Sequence, residues 1–308
     1  MRIAVMAAGA VGGYFGARLA AAGHEVSFIA RGAHLAAIRA SGLRLESPLG
    51  NLHIRDAKAT DDPRDVGAVD IVLFAVKLWD TEIAAARLRP LVGADTRVIT
   101  LQNGVDSVER LQPILGSDHV VGGTTHMATV IAAPGVISHT SQFALMRCGH
   151  VDGRADRRLA AFVDCSRAAG IEASLADDVN LDRWKKFTFL VGLSGATGMT
   201  RLPLGPILAD GDTRAFFLAL MQEVVDVGRA GAIALPADFA QERLAFADTT
   251  PPGFKASLLH DLERGNRIEL DWLAGKVVEL GRARHLATPA NAAVYAALKL
   301  HRNGKVQF

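Results

Sequence analysis

Residues Arg2–Met6 of this 308-residue chain read as a buried β-strand, and the residues that follow, Ala7, Ala8, Gly9, Ala10, Val11, Gly12 and Gly13, keep most of the G-x-G-x-x-G spacing. In that pattern Gly9 lets the backbone approach a pyrophosphate, Gly12 lets the helix pack close to its strand, and the N–H groups of the helix start face the anion. Ala7 stands where the first glycine would, which crowds the tight turn at little cost provided that φ stays negative there. Such turns also form for packing alone, but a place at the head of a strand–helix–strand unit favours dinucleotide binding. Nineteen residues beyond Gly12, the strand His24–Ala30 ends in Arg31. An NAD site usually carries an acid there for the ribose 2′-OH. With no carboxylate at that point and a guanidinium in its place, the pattern predicts NADP, against the plainer reading that Arg31 only solvates a strand end.

Two further positions could do chemistry. Asn103 follows the buried run Arg97–Leu101 at its carboxyl end, where ligands bind in open α/β sheets, although Asn-Gly is also a common tight turn. If Leu181–Ser194 is helical, Lys186, Leu190 and Ser194 fall at i, i+4 and i+8, so one ammonium rides a face otherwise free of charge. Desolvation there lowers a lysine from about 10.4 and eases proton donation at neutral pH, whereas a nearby carboxylate opposes that shift. The adjacent Lys185 competes for the role, and either lysine could snorkel. His126, His139 and His260 offer a competing acid–base reading, but they show no metal-ligand spacing and are expected in surface or hydrogen-bonded structural roles; Cys148 and Cys165 lack it too, so no metal site is expected.

The elements that must position these residues form two halves. From 1 to 177, short β-rich runs (Arg2–Ala7, Glu25–Ala30, Asp70–Val76, Arg97–Leu101) alternate with helical patterns such as Val11–Ala22. This is the grammar of parallel βαβ units. Leu43–Thr60 reads as a hairpin inserted on the sheet edge, around Pro48–Asn51. Further strands, including Val136–His139 and Phe143–Cys148, predict a mixed or antiparallel ending, closed by a helix over Arg154–Ala169 and a strand near Glu172–Leu175. From 178 to 308 the pattern is helical, with Leu218, Met221, Val224, Val225 and Gly228 at helical spacing. The expected fold class is therefore α/β, followed by an all-helical domain.

Composition narrows the partners. Half of the residues are hydrophobic and 21% charged, which excludes a disordered chain. Thirty-four Lys and Arg against 32 Asp and Glu, a net +2 without a long run of one sign, give no nucleic-acid footprint. The uncharged stretch Phe187–Thr200 is too short to span a bilayer. Two cysteines and no signal-peptide pattern favour the cytoplasm, small-molecule partners are expected, and a homodimer is left open.

Several motifs extend the reading over nearly the whole chain: AAGAVGGYFGARL, Arg31, FAVK ending at Lys77, LQNGV at Leu101–Val105, RWKKF at Arg183–Phe187, KASLLHDLERGNRIELDWLAG at Lys255–Gly275, and THMAT and ATPANAAVYAALK. Together they resemble the ketopantoate reductase family, the NADPH-dependent enzymes that reduce 2-dehydropantoate to pantoate, a step of pantothenate biosynthesis. The resemblance implies a Rossmann-type N-terminal domain, a helical C-terminal domain and an active site in the cleft between them. It implies that the turn Ala7–Gly12 and Arg31 hold the cofactor, that Asn103 lies beside the nicotinamide and its ribose, with substrate also in reach, and that Lys77 borders the cofactor cleft. It implies that Lys186 is the catalytic general acid, that Ser257 binds the substrate, a 2-keto acid, and that Glu269 is the acid of the site. One departure stands out. The family usually carries asparagines four and eight residues after the lysine, where this chain has Leu190 and Ser194. A leucine cannot bond a hydroxyl or carboxylate, so a close analogue of ketopantoate becomes a competing substrate, and Phe187, Phe189 and Leu190 could shape a more apolar pocket. The alternatives are an NADP-dependent dehydrogenase of another hydroxy or amino acid, and a catalytically silent NADP-binding sensor.

Overall fold

The computed structural model describes residues 1–305. The chain divides into one unit over Met1–Val179 and a second from Asn180 onward.

The first unit starts with β1 (Arg2–Met6), α1 (Ala10–Ala21), β2 (Glu25–Ile29) and α2 (Gly32–Ser41), then β3 (Leu43–Glu46), β4 (Leu52–Ile54) and β5 (Lys58–Thr60). It continues with β6 (Val69–Phe74), α3 (Thr81–Arg87), β7 (Val92–Thr100), α4 (Ser107–Leu115) and β8 (Val120–His126). It ends with β9 (Thr129–Ala133), β10 (Val136–His139), β11 (Leu145–Gly149), α5 (Arg157–Ala168) and β12 (Glu172–Leu175). An eight-stranded sheet runs β12-β11-β8-β7-β6-β1-β2-β5. The strands from β5 to β8 are parallel, β11 turns antiparallel to β8, and β12 lies parallel to β11. The strands are apolar on both faces because both faces are covered. Ile3, Val5, Ile71, Leu73 and Ile99 enter one core with Phe15 of α1 and Phe162 of α5. Ala4, Met6, Val72, Phe74 and Val98 enter the other with Ala85 of α3 and Leu111 of α4. The chain leaves β1 toward β2 and β5 and then resumes on the opposite side with β6, β7 and β8, so β1 and β6 flank the switch point where Rossmann-type sheets open a ligand crevice.

The hairpin expected on the edge of this sheet forms, but elsewhere. Strands β3 and β4 pair antiparallel, β3 pairs parallel with β10, and the result is a separate four-stranded sheet, β4-β3-β10-β9. The edge position beside β2 goes to β5 instead. The physical reason lies in alternation: Leu43 and Leu45 are fully buried while Arg44 and Glu46 are exposed, so this ribbon has one face to cover and joins the core beneath α1. Gly13 permits that approach, since a Cβ there would lie 2.1 Å from Ile137 of β10.

The second unit comprises α6 (Val179–Thr200), α7 (Leu204–Ala209), α8 (Gly211–Ala230), α9 (Phe239–Asp248), α10 (Ser257–Glu263), α11 (Ala274–Ala283) and α12 (Pro289–Leu298). Helix α6 is its axis. Gly192 abuts Met221 and Phe217 of α8, Gly195 abuts Leu220 and Val294, and Gly198 abuts Leu258 and Leu298, so three small residues let three helices close on one. Glu223 of α8 caps α12, accepting the N–H groups of Ala290 and Asn291 at 2.7 and 2.9 Å. No helix is long and apolar enough to cross a membrane, and no three His, Cys, Asp or Glu side chains gather as metal ligands, among the described residues.

Candidate active site

In the first unit, Gly9, Arg31, Lys77 and Asn103 follow the carboxyl ends of β1, β2, β6 and β7, four neighbouring strands. Gly9 is the N-cap of α1, and no side chain caps that helix. A Cβ on Gly9 would meet nothing within 4 Å, so the turn looks out on open ground with Ala10 and Val11 in its first helical turn. Gly12 is different: a Cβ there would stand 2.3 Å from the Ala7 carbonyl and 2.8 Å from Val5, which fixes how closely helix and strand meet. Ala7 takes no positive φ, so the position does not need the left-handed freedom of the missing first glycine. A helix start that no side chain caps, with open space at Gly9, suits a pyrophosphate, and the residues present fit a dinucleotide.

The turn has a support that the sequence did not show. His34 of α2 donates from Nε2 to the Ala8 carbonyl at 2.9 Å, while its Nδ1 accepts the Gly135 N–H at 3.0 Å, an arrangement that assigns the proton to Nε2. Burial pushes the imidazole below its ordinary value, and the Ala8 carbonyl works against that. Gln102, which lies in the LQNGV motif but was given no role there, is buried and donates to the Val76 carbonyl at 3.1 Å and the Thr81 hydroxyl at 2.9 Å. It thereby ties the segment carrying Lys77 to the segment carrying Asn103. Lys77 is exposed with its ammonium 5.6 Å from the centre of the Trp79 ring, and Asn103 is half-buried before Gly104, whose φ of +89° requires glycine.

Arg31 calls for a correction. Sequence reasoning found no acid near the end of β2, but Asp80, 49 residues further along, lies 2.9 Å from the Arg31 guanidinium. A fingerprint confined to β1 and β2 cannot see a residue delivered by β6.

In the second unit, Lys186 projects from α6 and is half-buried. Dehydration by the surrounding protein pushes its ammonium down to about 8, against the opposing pull of the Glu269 carboxylate. Glu269 is buried and sits just before a single turn of 3₁₀ helix, Leu270–Trp272. Leu190 is half-buried one turn beyond Lys186, and Ser194 is buried two turns beyond, its hydroxyl without a hydrogen-bond partner among the described residues. Ser257 is exposed at the start of α10, and its neighbour Leu258 packs at Gly198, one turn past Ser194. The aromatic residues divide. Phe187 is core against Trp184, with ring centres 5.8 Å apart, so it forms no pocket wall, while Phe189 packs on Phe217 and Phe246. His139 is buried between the hydroxyls of Ser47 and Ser141, each 2.8 Å away, and belongs to the scaffold.

A Rossmann-type sheet with a glycine turn at its switch point, followed by a helical unit holding a dehydrated lysine beside a buried acid, defines an oxidoreductase of the two-domain NAD(P)-dependent class. The chain belongs to the ketopantoate reductase family: the family model for ketopantoate reductase PanE/ApbA matches residues 3–153, and that for its C-terminal domain matches 178–302. A 2-dehydropantoate 2-reductase of Mesorhizobium japonicum is 32% identical over 322 residues, covering 97% of each chain. A crystal structure of a PanE/ApbA family ketopantoate reductase from Ralstonia eutropha superposes with a TM-score of 0.89 at 34% identity, covering 98% of each chain. That of 2-dehydropantoate 2-reductase from Porphyromonas gingivalis gives 0.84 at 32%, covering 97% of this chain and 99% of the other.

Proposed function

We propose that this chain is an NADPH-dependent reductase of a 2-keto acid, converting 2-dehydropantoate to pantoate or reducing a close analogue. The observation that carries the reading is Lys186, an ammonium brought down to about 8 with Glu269 as its charged neighbour. A proton donor works best when its pKa lies near the working pH. A bound reduced nicotinamide supplies the hydride that goes to the keto carbon. Lys186 donates a proton from Nζ to the oxygen on which negative charge develops, and Glu269 keeps the ammonium protonated and oriented. Ser257 binds the substrate's polar end. In the first unit, Gly9 and the N–H groups at the start of α1 hold the pyrophosphate, Arg31 holds the 2′-phosphate, Lys77 borders the dinucleotide, and Asn103 orients the nicotinamide ribose.

Leu190 and Ser194 favour a second, narrower reading in which the preferred acid is less hydroxylated than ketopantoate. A half-buried leucine one turn from the lysine offers a hydroxyl nothing, at a cost of about 1–3 kcal/mol for a buried group left unpaired. Ser194 is the polar atom of that stripe with a bond still to make. Two free thiols, one of them buried, are compatible with the reducing cytoplasm. The test of the function is NADPH oxidation with a panel of branched 2-keto acids. Turnover of at least one is expected; binding of NADPH with no turnover of any acid would leave a cofactor-binding protein and end the reductase reading.

A further inference from the structure

Arg31 and Asp80 meet at the place where cofactor choice is made. The guanidinium gives one N–H, from Nη2, to the Asp80 carboxylate at 2.9 Å, and its side chain is 69% exposed, against 28% for the aspartate. A guanidinium has five N–H donors, so the other edge of Arg31 stays available to a phosphate. Asp80 has little freedom to withdraw. It ends the short helical turn Leu78–Asp80 before α3, where Arg110 holds the Leu78 carbonyl at 2.8 Å and the Glu82 carboxylate through two bonds of 2.7 and 2.8 Å. Gln102 holds the hydroxyl of Thr81, the next residue.

We infer that Asp80 is a specificity-determining residue of the cofactor site, in which its carboxylate works against a ribose 2′-phosphate and in favour of a free 2′-OH, offsetting the preference that Arg31 creates. The inference rests on the NADPH reading above, in which Arg31 receives the phosphate. A dianion placed on the open edge of the guanidinium comes well within a Debye length, about 8 Å at physiological salt, of a carboxylate already bonded to the same group, so the two anions repel with little screening. A neutral 2′-OH meets no such repulsion and can donate to Asp80, the part that an acid at the end of β2 plays in an NAD site. Here that acid arrives from the β6–α3 connection. One cation and one anion thus share the pocket, and the balance between the two dinucleotides is the difference of their effects.

The experiment is calorimetric titration of NADPH and of NADH into the full chain, as wild type, Asp80→Asn, Arg31→Ala and the double variant. Asparagine keeps the shape of Asp80 and an oxygen for Arg31 while removing the charge. NADPH should bind about fivefold tighter to Asp80→Asn, as expected for removing one like charge at this range, with a smaller gain at high salt. NADH should bind no tighter, so the NADPH-to-NADH ratio rises. An unchanged ratio, or weaker NADPH binding in Asp80→Asn, overturns the inference and leaves Asp80 as a support for Arg31. Arg31→Ala separates the two readings. If it loses NADPH affinity while Asp80→Asn leaves the ratio unchanged, the NADPH reading stands and this inference falls. If Arg31→Ala binds NADPH as wild type does, the 2′-phosphate contact is lost and both fall.

Discussion

Lys186 is a residue whose environment and chemistry can be checked separately. Its ammonium is held down to about 8 mainly by dehydration, so it is largely protonated at pH 7 and loses its proton within the working range. A donor must be protonated to act, so kcat/KM should be flat below that value and fall as pH rises through it. Lys186→Ala should fold, bind NADPH nearly as wild type does and lose about 10²–10⁴ in kcat, the usual share of general acid catalysis, and the alkaline limb should vanish with it. Lys185→Ala is the control and should change little; if the two variants exchange behaviours, the register taken from Arg183–Phe187 is off by one. The face carrying Lys186, Leu190 and Ser194 was legible from helical spacing alone. The buried acid beside the lysine was not legible from spacing, because Glu269 lies 83 residues away and no periodicity links it to α6; only the motif resemblance pointed to it. Asp80 and His34 escaped notice for the same reason: each acts on a motif from an element that the motif does not contain.

At the scale of elements, the glycine turn makes two different demands that substitution can separate. Gly9 has a φ of −76° and open space where a Cβ would go, so Gly9→Ala should keep the melting temperature while weakening cofactor binding, because the methyl takes the ground meant for the pyrophosphate. Gly12→Ala should lower the melting temperature, since its Cβ would collide with the Ala7 carbonyl and Val5. Thermal melts with and without NADPH distinguish the two; equal melting losses would show that Gly9 is only a packing residue. Helix α5 offers a test of the scaffold. Asp156 caps it, accepting the N–H groups of Arg158 and Leu159 at 2.8 and 3.1 Å, and also bonds Arg97 and His150. Burial alone would raise the carboxyl, but the bonds from Arg97, His150 and Leu159 outweigh it and hold it well below the usual carboxylate range. A depressed folded pKa means stability that is present above the unfolded value, about 3.9, and lost as pH falls below it. Asp156→Ala should cost about 3 kcal/mol or more in urea unfolding at pH 7, with less difference from wild type near pH 3. A cost below about 0.5 kcal/mol would mark the cluster as an ordinary surface ion pair. The parallel strands were legible as short apolar runs alternating with helical patterns, and the helical second half as a pattern of period 3.6. The separate sheet β4-β3-β10-β9 was not, because alternation in β3 and β4 shows that one face must be covered without saying by what.

Across the whole molecule, the proposed site residues are distributed: the turn, Arg31, Lys77 and Asn103 belong to the first unit, and Lys186, Ser257 and Glu269 to the second. The relatives match over nearly the full length, so the family is fixed by the entire chain rather than by a shared cofactor module. The departure from the resembled motif pattern is local, at Leu190 and Ser194. The most direct test of the reductase assignment is therefore the steady-state rate of NADPH oxidation by the wild-type chain and by Lys186→Ala, with ketopantoate and with 2-ketoisovalerate as substrates. The account predicts turnover that depends on Lys186, with kcat/KM for 2-ketoisovalerate at least equal to that for ketopantoate. Ketopantoate preferred by about tenfold or more, equivalent to about 1.4 kcal/mol in the transition state, would restore it as the substrate and make the missing asparagines dispensable. No keto acid turned over, or a Lys186→Ala variant as fast as wild type, would contradict the account at its centre.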